Sequence, residues 1–141
     1  MDEERERLRA KRIQELLRGA QAPAPAGDVL VATDGNLPDL VRSNDGVLVD
    51  CYADWCAPCR IFAPVFAATA KEYAGRAAFA KLDTEANPQT AAAFRILSIP
   101  TLLVFRQGRL VTQQAGALPQ PMLRAVVEAA LRGAPPPKAQ T

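Results

Sequence analysis

Two cysteines, Cys56 and Cys59, stand three positions apart at the predicted start of a helix. Two thiols at this spacing can form and break a disulfide, which is the chemistry of a redox pair. An apolar, strand-like run over 47–52 precedes them, and a helical pattern follows over 61–73. The pair is therefore predicted to lie on a strand-to-helix turn.

The positions of the two thiols in the helix predict different roles. Cys56 lies in the first turn, where free backbone N–H groups and the helix dipole stabilise a thiolate, so we expect it to be the nucleophile. Cys59 is deeper and better shielded, and is expected to resolve the mixed disulfide on Cys56. The alternative is half of a zinc site. Because the chain has no histidine and only Cys51 as a further cysteine, we expect no metal.

Asp50 interrupts the apolar strand before the pair. By strand alternation its side chain shares a face with Leu48 and Tyr52, beneath the following helix. Burial there raises the pKa of a carboxyl group, which suits a proton acceptor for Cys59. The alternative is an ordinary ion pair with Lys81 on the next strand, and such a partner would also tune the pKa of Asp50.

The neighbouring thiol of Cys51 is predicted to point to the opposite face of the strand. We expect a buried and inert thiol there rather than a redox-regulatory one.

The chain divides into three predicted segments. Residues 1–27 are expected to form a charged helix over 2–18, stopped by Gly19, and a Pro/Ala linker. Residues 28–132 form one domain, and residues 133–141 form a disordered tail. Within the domain the patterns predict strands over 29–32, 47–52, 77–82, 101–105 and 109–114, and helices over 37–43, 56–73, 88–94 and 119–131.

Composition excludes several classes of function. The 141 residues suffice for one domain with a core. No window approaches the roughly 18 apolar residues of a membrane span, and the first 19 residues hold eleven charges, so we expect no membrane contact and a cytoplasmic location. A net charge of +2 gives no argument for binding nucleic acid, and without histidine the thiols cannot be activated by imidazole.

Several motifs in register resemble the thioredoxin family over residues 28–132. The central one is Trp55-Cys56-Ala57-Pro58-Cys59, with Ala57 where the family usually has glycine; the others are Val49-Asp50, Ala80-Lys81-Leu82-Asp83, Asn87-Pro88, Ser98-Ile99-Pro100-Thr101 and Gly116-Ala117. The resemblance implies an α/β thioredoxin fold, in which a central mixed β-sheet is flanked by helices on both faces. It also implies that Pro100 follows a cis peptide bond.

The resemblance further implies a thiol:disulfide oxidoreductase that reduces protein disulfides and is re-reduced by thioredoxin reductase, without a bound cofactor. The implied substrate contacts are Trp55, Ala57, Pro58, Ile99, Pro100 and Gly116, with the Ile99 backbone pairing with an extended substrate. A monomer is expected. Two alternatives stay open, a thioredoxin-fold binding module and a disulfide isomerase, because a fold does not assign chemistry by itself.

Overall fold

The structure is a computed structural model that describes residues 2–21 and 27–137. Its elements are α1 Asp2–Gln21, β1 Val29–Val31, α2 Leu37–Ser43, β2 Gly46–Tyr52, α3 Ala57–Glu72, β3 Ala78–Asp83, α4 Pro88–Ala93, β4 Thr101–Arg106, β5 Arg109–Ala115 and α5 Gln120–Arg132. From β1 onward every predicted element is present, and each end lies within one residue of its predicted position.

The five strands form one mixed sheet in the order β1-β3-β2-β4-β5. Strands β1, β3 and β2 are parallel, whereas β4 runs antiparallel to β2 and β5 antiparallel to β4. The carboxyl end of β2 and the amino end of β4 therefore meet at one edge of the sheet, with Cys51 opposite Thr101. This register brings the segment after β2 close to the segment before β4.

Helices cover both faces of the sheet, as the resemblance implies. Helices α3 and α5 pack on one face, in an apolar cluster that includes Leu48, Phe62, Phe66, Phe79, Leu102 and Leu123. Helix α2 and the residues after α4 pack on the other, in a cluster that includes Leu40, Val47, Val49, Leu82, Leu103 and Phe94. Because side chains alternate along a strand, β2 contributes to both clusters and is buried throughout, apart from its last residue.

The prediction that Gly19 ends the first helix was wrong, since α1 continues to Gln21. A single glycine costs only about 1 kcal/mol in a helix, and the residues after it, Ala20 and Gln21, are good helix formers. In the described part of α1, Leu8 and Ile13 are 63% and 49% exposed, although the helix backbone comes near α2. Residues 22–26 of the predicted linker and 138–141 of the predicted tail lie outside the described residues. None of the helices described is long and apolar enough to cross a membrane.

The β1–α2 loop is tied to the start of α4 by side-chain hydrogen bonds. The Asp34 carboxylate accepts hydrogen bonds from the Thr90 N–H and O–H at 2.8 and 2.7 Å and from the Gln89 N–H at 3.2 Å. In return the Asn87 side chain accepts a bond from the Asp34 N–H at 2.8 Å. Asp34 thus satisfies backbone donors that a helix start leaves free, from 55 residues away in the chain.

Candidate active site

The turn from β2 into α3 holds the two cysteines together. Cys56 is the N-cap of α3, and Cys59 lies in its first turn. The two sulfur atoms are at bonding distance and form a disulfide, with a Cα–Cα distance of 5.3 Å. The Cys59 N–H points at the Cys56 sulfur, with an N···S distance of 3.3 Å. Such a donor would stabilise a thiolate on Cys56 once the disulfide is reduced.

The expected difference in shielding between the two cysteines is small. Cys56 is 3% exposed and Cys59 is 2% exposed, so whole-residue burial does not separate an attacking from a resolving thiol. Their surroundings do differ. The Cys56 sulfur lies 3.7 Å from the carbonyl oxygen of Ile99, in the loop before β4, whereas Cys59 faces the cavity that Asp50 also lines.

Asp50 is buried on the face of β2 that α3 covers, as the strand pattern predicts. The residue is 3% exposed, and its Oδ1 atom has no hydrogen-bond partner in the structure. Burial raises the pKa of Asp50 to about 7, and the positive charge of Lys81 opposes part of that rise. Lys81 is the register partner of Asp50 on β3 but is itself exposed, and the two side chains form no ion pair. The alternative of a carboxylate simply paired with a base is therefore not what the structure shows.

A cavity of about 240 Å³ joins these groups. Its lining residues are Asp50, Tyr52, Ala53, Asp54, Cys59, Arg60, Ala63 and Lys81. The resolving candidate Cys59 and the buried carboxyl group thus border one space. Tyr52 is half-buried in the cavity wall rather than fully packed in the core.

The surface beside the disulfide is formed by exposed residues of the reactive turn. Trp55 is 67% exposed, and Ala57 and Pro58 are exposed as well. The Trp55 indole N–H donates a hydrogen bond to the carboxylate of Glu85, which lies in the β3–α4 loop. Sequence reasoning missed Glu85, because 30 residues separate it from Trp55 and no local pattern signals the contact.

The loop before β4 also borders the disulfide, because the Ile99 carbonyl oxygen lies next to the Cys56 sulfur. The Ile99–Pro100 peptide bond is cis, which confirms the expectation from the resemblance. Pro100 is buried, whereas Ile99 is half-buried. The Gly116 N–H donates a 2.8 Å hydrogen bond to the Pro100 carbonyl, so Gly116 lies beside this loop. Its φ of +100° is one that side-chain-bearing residues rarely adopt, and the space where a Cβ would stand is open.

Cys51 lies away from this site. It is fully buried in the apolar cluster beneath α2, on the face of β2 opposite Asp50. Burial, with a contribution from the negative charge of Asp50, raises the pKa of Cys51 to about 12. Within residues 2–21 and 27–137 no group of three or more potential ligands is placed to hold a metal ion.

Comparisons with known proteins agree with this geometry. A family model described as Thioredoxin matches residues 28–129. A thioredoxin from Staphylococcus saprophyticus is 43% identical over 100 residues, which are 71% of this chain and 95% of that protein. One from Chlorobaculum thiosulfatiphilum is 42% identical, over 70% of this chain and 92% of its own length.

A solved structure of a thioredoxin also matches this chain. A mutant thioredoxin from Halobacterium salinarum NRC-1 superposes with a TM-score of 0.71 at 34% identity, covering 77% of this chain and 95% of its own. The fold, the cysteine pair and the similar proteins all indicate the same family. The chain belongs to the thioredoxin family and is a protein-disulfide oxidoreductase.

Proposed function

We propose that the protein reduces disulfides in other proteins, with Cys56 as the attacking nucleophile, Cys59 as the resolving thiol and Asp50 as the proton acceptor. In the first step the Cys56 thiolate attacks one sulfur of the substrate disulfide, forms a mixed disulfide and releases a substrate thiolate. In the second, Cys59 gives its proton to Asp50 and attacks the Cys56 sulfur. The Cys56–Cys59 disulfide forms, the second substrate thiolate leaves and takes up a proton, and two electrons have passed to the substrate.

The observation that carries this assignment is the burial of the Asp50 carboxyl group, which raises its pKa and leaves its Oδ1 atom without a hydrogen-bond partner. A carboxyl group with a pKa of about 7 can both accept and return a proton near neutral pH. Its unpartnered Oδ1 and the cavity that it shares with Cys59 leave it free for proton transfer rather than bound in an ion pair. A buried acid beside a reactive thiol is a functional candidate for the same reason. Lys81 is proposed to tune this pKa, because its charge opposes the effect of burial.

The proposed substrate surface consists of the two segments that border the disulfide. Trp55, Ala57 and Pro58 lie on one side, and the proposed partners on the other side are Ile99, Pro100 and Gly116. An extended substrate segment would pair with the backbone at Ile99, which places its half-cystine near the Cys56 sulfur.

The proposed partners are thioredoxin reductase, which would restore the dithiol, and proteins that contain disulfides. The exchange moves electrons only between sulfur atoms and so requires no bound cofactor. We propose a cytoplasmic monomer that contacts neither nucleic acid nor membrane. Coupled turnover with a thioredoxin reductase tests the reductase, and light scattering tests the oligomeric state.

Residues 1–27 are proposed to be an accessory segment, 28–132 the catalytic domain and 133–141 a tail. Support for the first boundary comes from the family match, which begins at residue 28, and from the exposure of Leu8 and Ile13. Deleting residues 1–27 should leave insulin reduction unchanged. A large fall in melting temperature would show instead that the segment docks on the domain.

Covalent trapping tests the roles of the two cysteines. In a Cys51→Ser background, Cys59→Ser should hold substrate proteins as mixed disulfides on Cys56, because no thiol remains in position to release them. Cys56→Ser, the matched control, should trap almost nothing. Trapping by Cys56→Ser alone would reverse the two roles. If neither variant traps partners while both bind the same proteins noncovalently, the binding-module alternative should replace this proposal.

A further inference from the structure

Leu97 is the most exposed large apolar side chain in the part of the chain whose side chains the structure describes. It is 95% exposed, so it contributes almost nothing to the core, whereas its neighbour Ile96 packs against the cluster beneath α2. An apolar side chain fully in water gains no stability from its position. The whole Leu97 side chain is therefore available to contact a bound molecule.

The loop that carries Leu97 is held firmly on both sides. Before it, the Ile96 N–H donates to the Ala91 carbonyl at 2.9 Å. After it, the Thr101 hydroxyl donates to the Ser98 carbonyl at 2.6 Å. Leu97 thus projects from a short segment whose two ends are fixed, which lowers the entropy cost of contacting a bound molecule.

Leu97 stands two residues before the loop residue that approaches the reacting sulfur. Ile99, two residues further on, has its carbonyl oxygen 3.7 Å from the Cys56 sulfur. Two consecutive peptide units span at most about 7 Å between Cα atoms, and an extended substrate covers that distance in about two residues. A substrate half-cystine at Cys56 therefore brings a side chain two or three positions away within reach of Leu97.

The sequence on either side of Leu97 holds few charges. Between residues 86 and 100 the only charged side chain is that of Arg95. In the reactive turn next to Cys56, the exposed side chain of Trp55 is also apolar, at 67% exposure. A substrate segment lying across Cys56 thus borders a large apolar side chain in the reactive turn and another in the loop before β4.

We propose that Leu97 is a specificity-determining residue that favours disulfides with a large apolar side chain two or three positions from the attacked half-cystine. This inference rests on the proposed attack by Cys56. Leu97 does not touch the reacting atoms, so it should alter the choice among peptide substrates and leave the exchange chemistry unchanged.

The test uses short synthetic peptides, each joined to a second copy by one disulfide, with leucine, serine or lysine placed two or three positions from the cysteine. The wild-type protein should reduce the leucine peptide with a kcat/KM about tenfold above that for the serine peptide. Leu97→Ser should remove that preference, and Leu97→Met should retain most of it. All three proteins should reduce bis(hydroxyethyl) disulfide at equal rates, because that molecule is too small to reach Leu97.

Leu110→Ser is the matched control. Leu110 is also exposed, at 39%, but pairs with Phe105 at the opposite end of β4 from the loop. The Leu110→Ser protein should keep the wild-type preference for the leucine peptide and the wild-type melting temperature. Equal kcat/KM values for the leucine and serine peptides in the wild type, or an unchanged preference in Leu97→Ser, would overturn the role of Leu97 and leave the proposed function intact. Failure of the wild type to reduce bis(hydroxyethyl) disulfide and insulin would overturn both.

Discussion

Asp50 and Cys51 are consecutive residues of β2 and are buried to nearly the same degree, 3% and 0% exposed. Removal from water raises the pKa of both, to about 7 for Asp50 and about 12 for Cys51. They differ in what surrounds them. Asp50 borders a cavity that it shares with Cys59, whereas Cys51 lies inside an apolar cluster.

The comparison shows that burial alone does not make a reactive group. Burial brings the pKa of a carboxyl group from 3.8 to near neutral pH, where it can exchange protons. The same effect moves the pKa of a thiol away from neutral pH and suppresses the nucleophilic thiolate. Asp50 also has a neighbouring thiol, Cys59, and shares with it a cavity through which a proton could move.

Replacing Asp50 should slow the resolution step most. In Asp50→Asn, Cys59 has no buried proton acceptor, so release of the mixed disulfide should slow by about 10²-fold. The initial attack by Cys56 should stay close to the wild-type rate. Single-turnover kinetics with mass spectrometry of the mixed disulfide separates the two steps. Wild-type rates for both would remove Asp50 from the mechanism.

The same carboxyl group should make stability depend on pH. Asp50 has a pKa of about 7 when folded against an ordinary value of 3.8, so the folded protein holds the proton more tightly. The free energy of unfolding should therefore fall as pH rises from about 4 to 7, by roughly 4 kcal/mol at most. Asp50→Asn should abolish this fall and exceed the wild type in stability above pH 7.

Urea unfolding of the oxidised protein across this pH range measures the effect. Asp28→Asn removes an exposed carboxyl group and should keep the wild-type pH dependence. A flat stability curve for the wild type would contradict the raised pKa of Asp50.

Cys51 should behave in the opposite way to Asp50. Cys51→Ala leaves a small cavity in the cluster and should lower the free energy of unfolding by about 1–2 kcal/mol, with no change in the rate of insulin reduction. In the reduced native protein, iodoacetamide should modify Cys56 and leave Cys51 unmodified until the protein unfolds. Loss of activity in Cys51→Ala would give Cys51 a part in the chemistry.

The pKa of Asp34 shifts in the opposite direction to that of Asp50. Desolvation raises the pKa of Asp34, but hydrogen bonds from Thr90 and Gln89 outweigh it, and the net pKa is lowered. Its stabilising contribution is therefore present above pH 3.8 and lost as pH falls through the folded pKa. Asp34→Asn should lower the melting temperature at neutral pH, and the difference from the wild type should shrink in acid.

Thr90→Val supplies the partner for a double-mutant cycle with Asp34→Asn. Because the Thr90 hydroxyl and N–H both donate to Asp34, the effects on melting temperature should be less than additive. Strict additivity would show that the two residues stabilise the protein independently.

Local patterns predicted most of the fold. The alternation of apolar residues in β2 placed Asp50 and Cys51 on opposite faces, and helix and strand periods located each element from β1 onward. The extent of α1 was not predicted, because one glycine is a weak stop signal. The cis bond at Pro100 could be inferred only from the family resemblance, since a trans bond is the usual state of an X-Pro peptide.

The helices and strands, the redox pair and the buried acid could be predicted from the sequence, because they follow from short-range spacing and from side-chain chemistry. Which distant groups meet these residues depends on the folded arrangement of the chain. Glu85 binds Trp55, Asp34 caps α4, Gly116 supports Pro100, and Ile99 approaches Cys56, each through chain segments brought together by the sheet register. Such contacts leave no local pattern, because many different side chains are compatible with each separate segment until the fold brings the segments together.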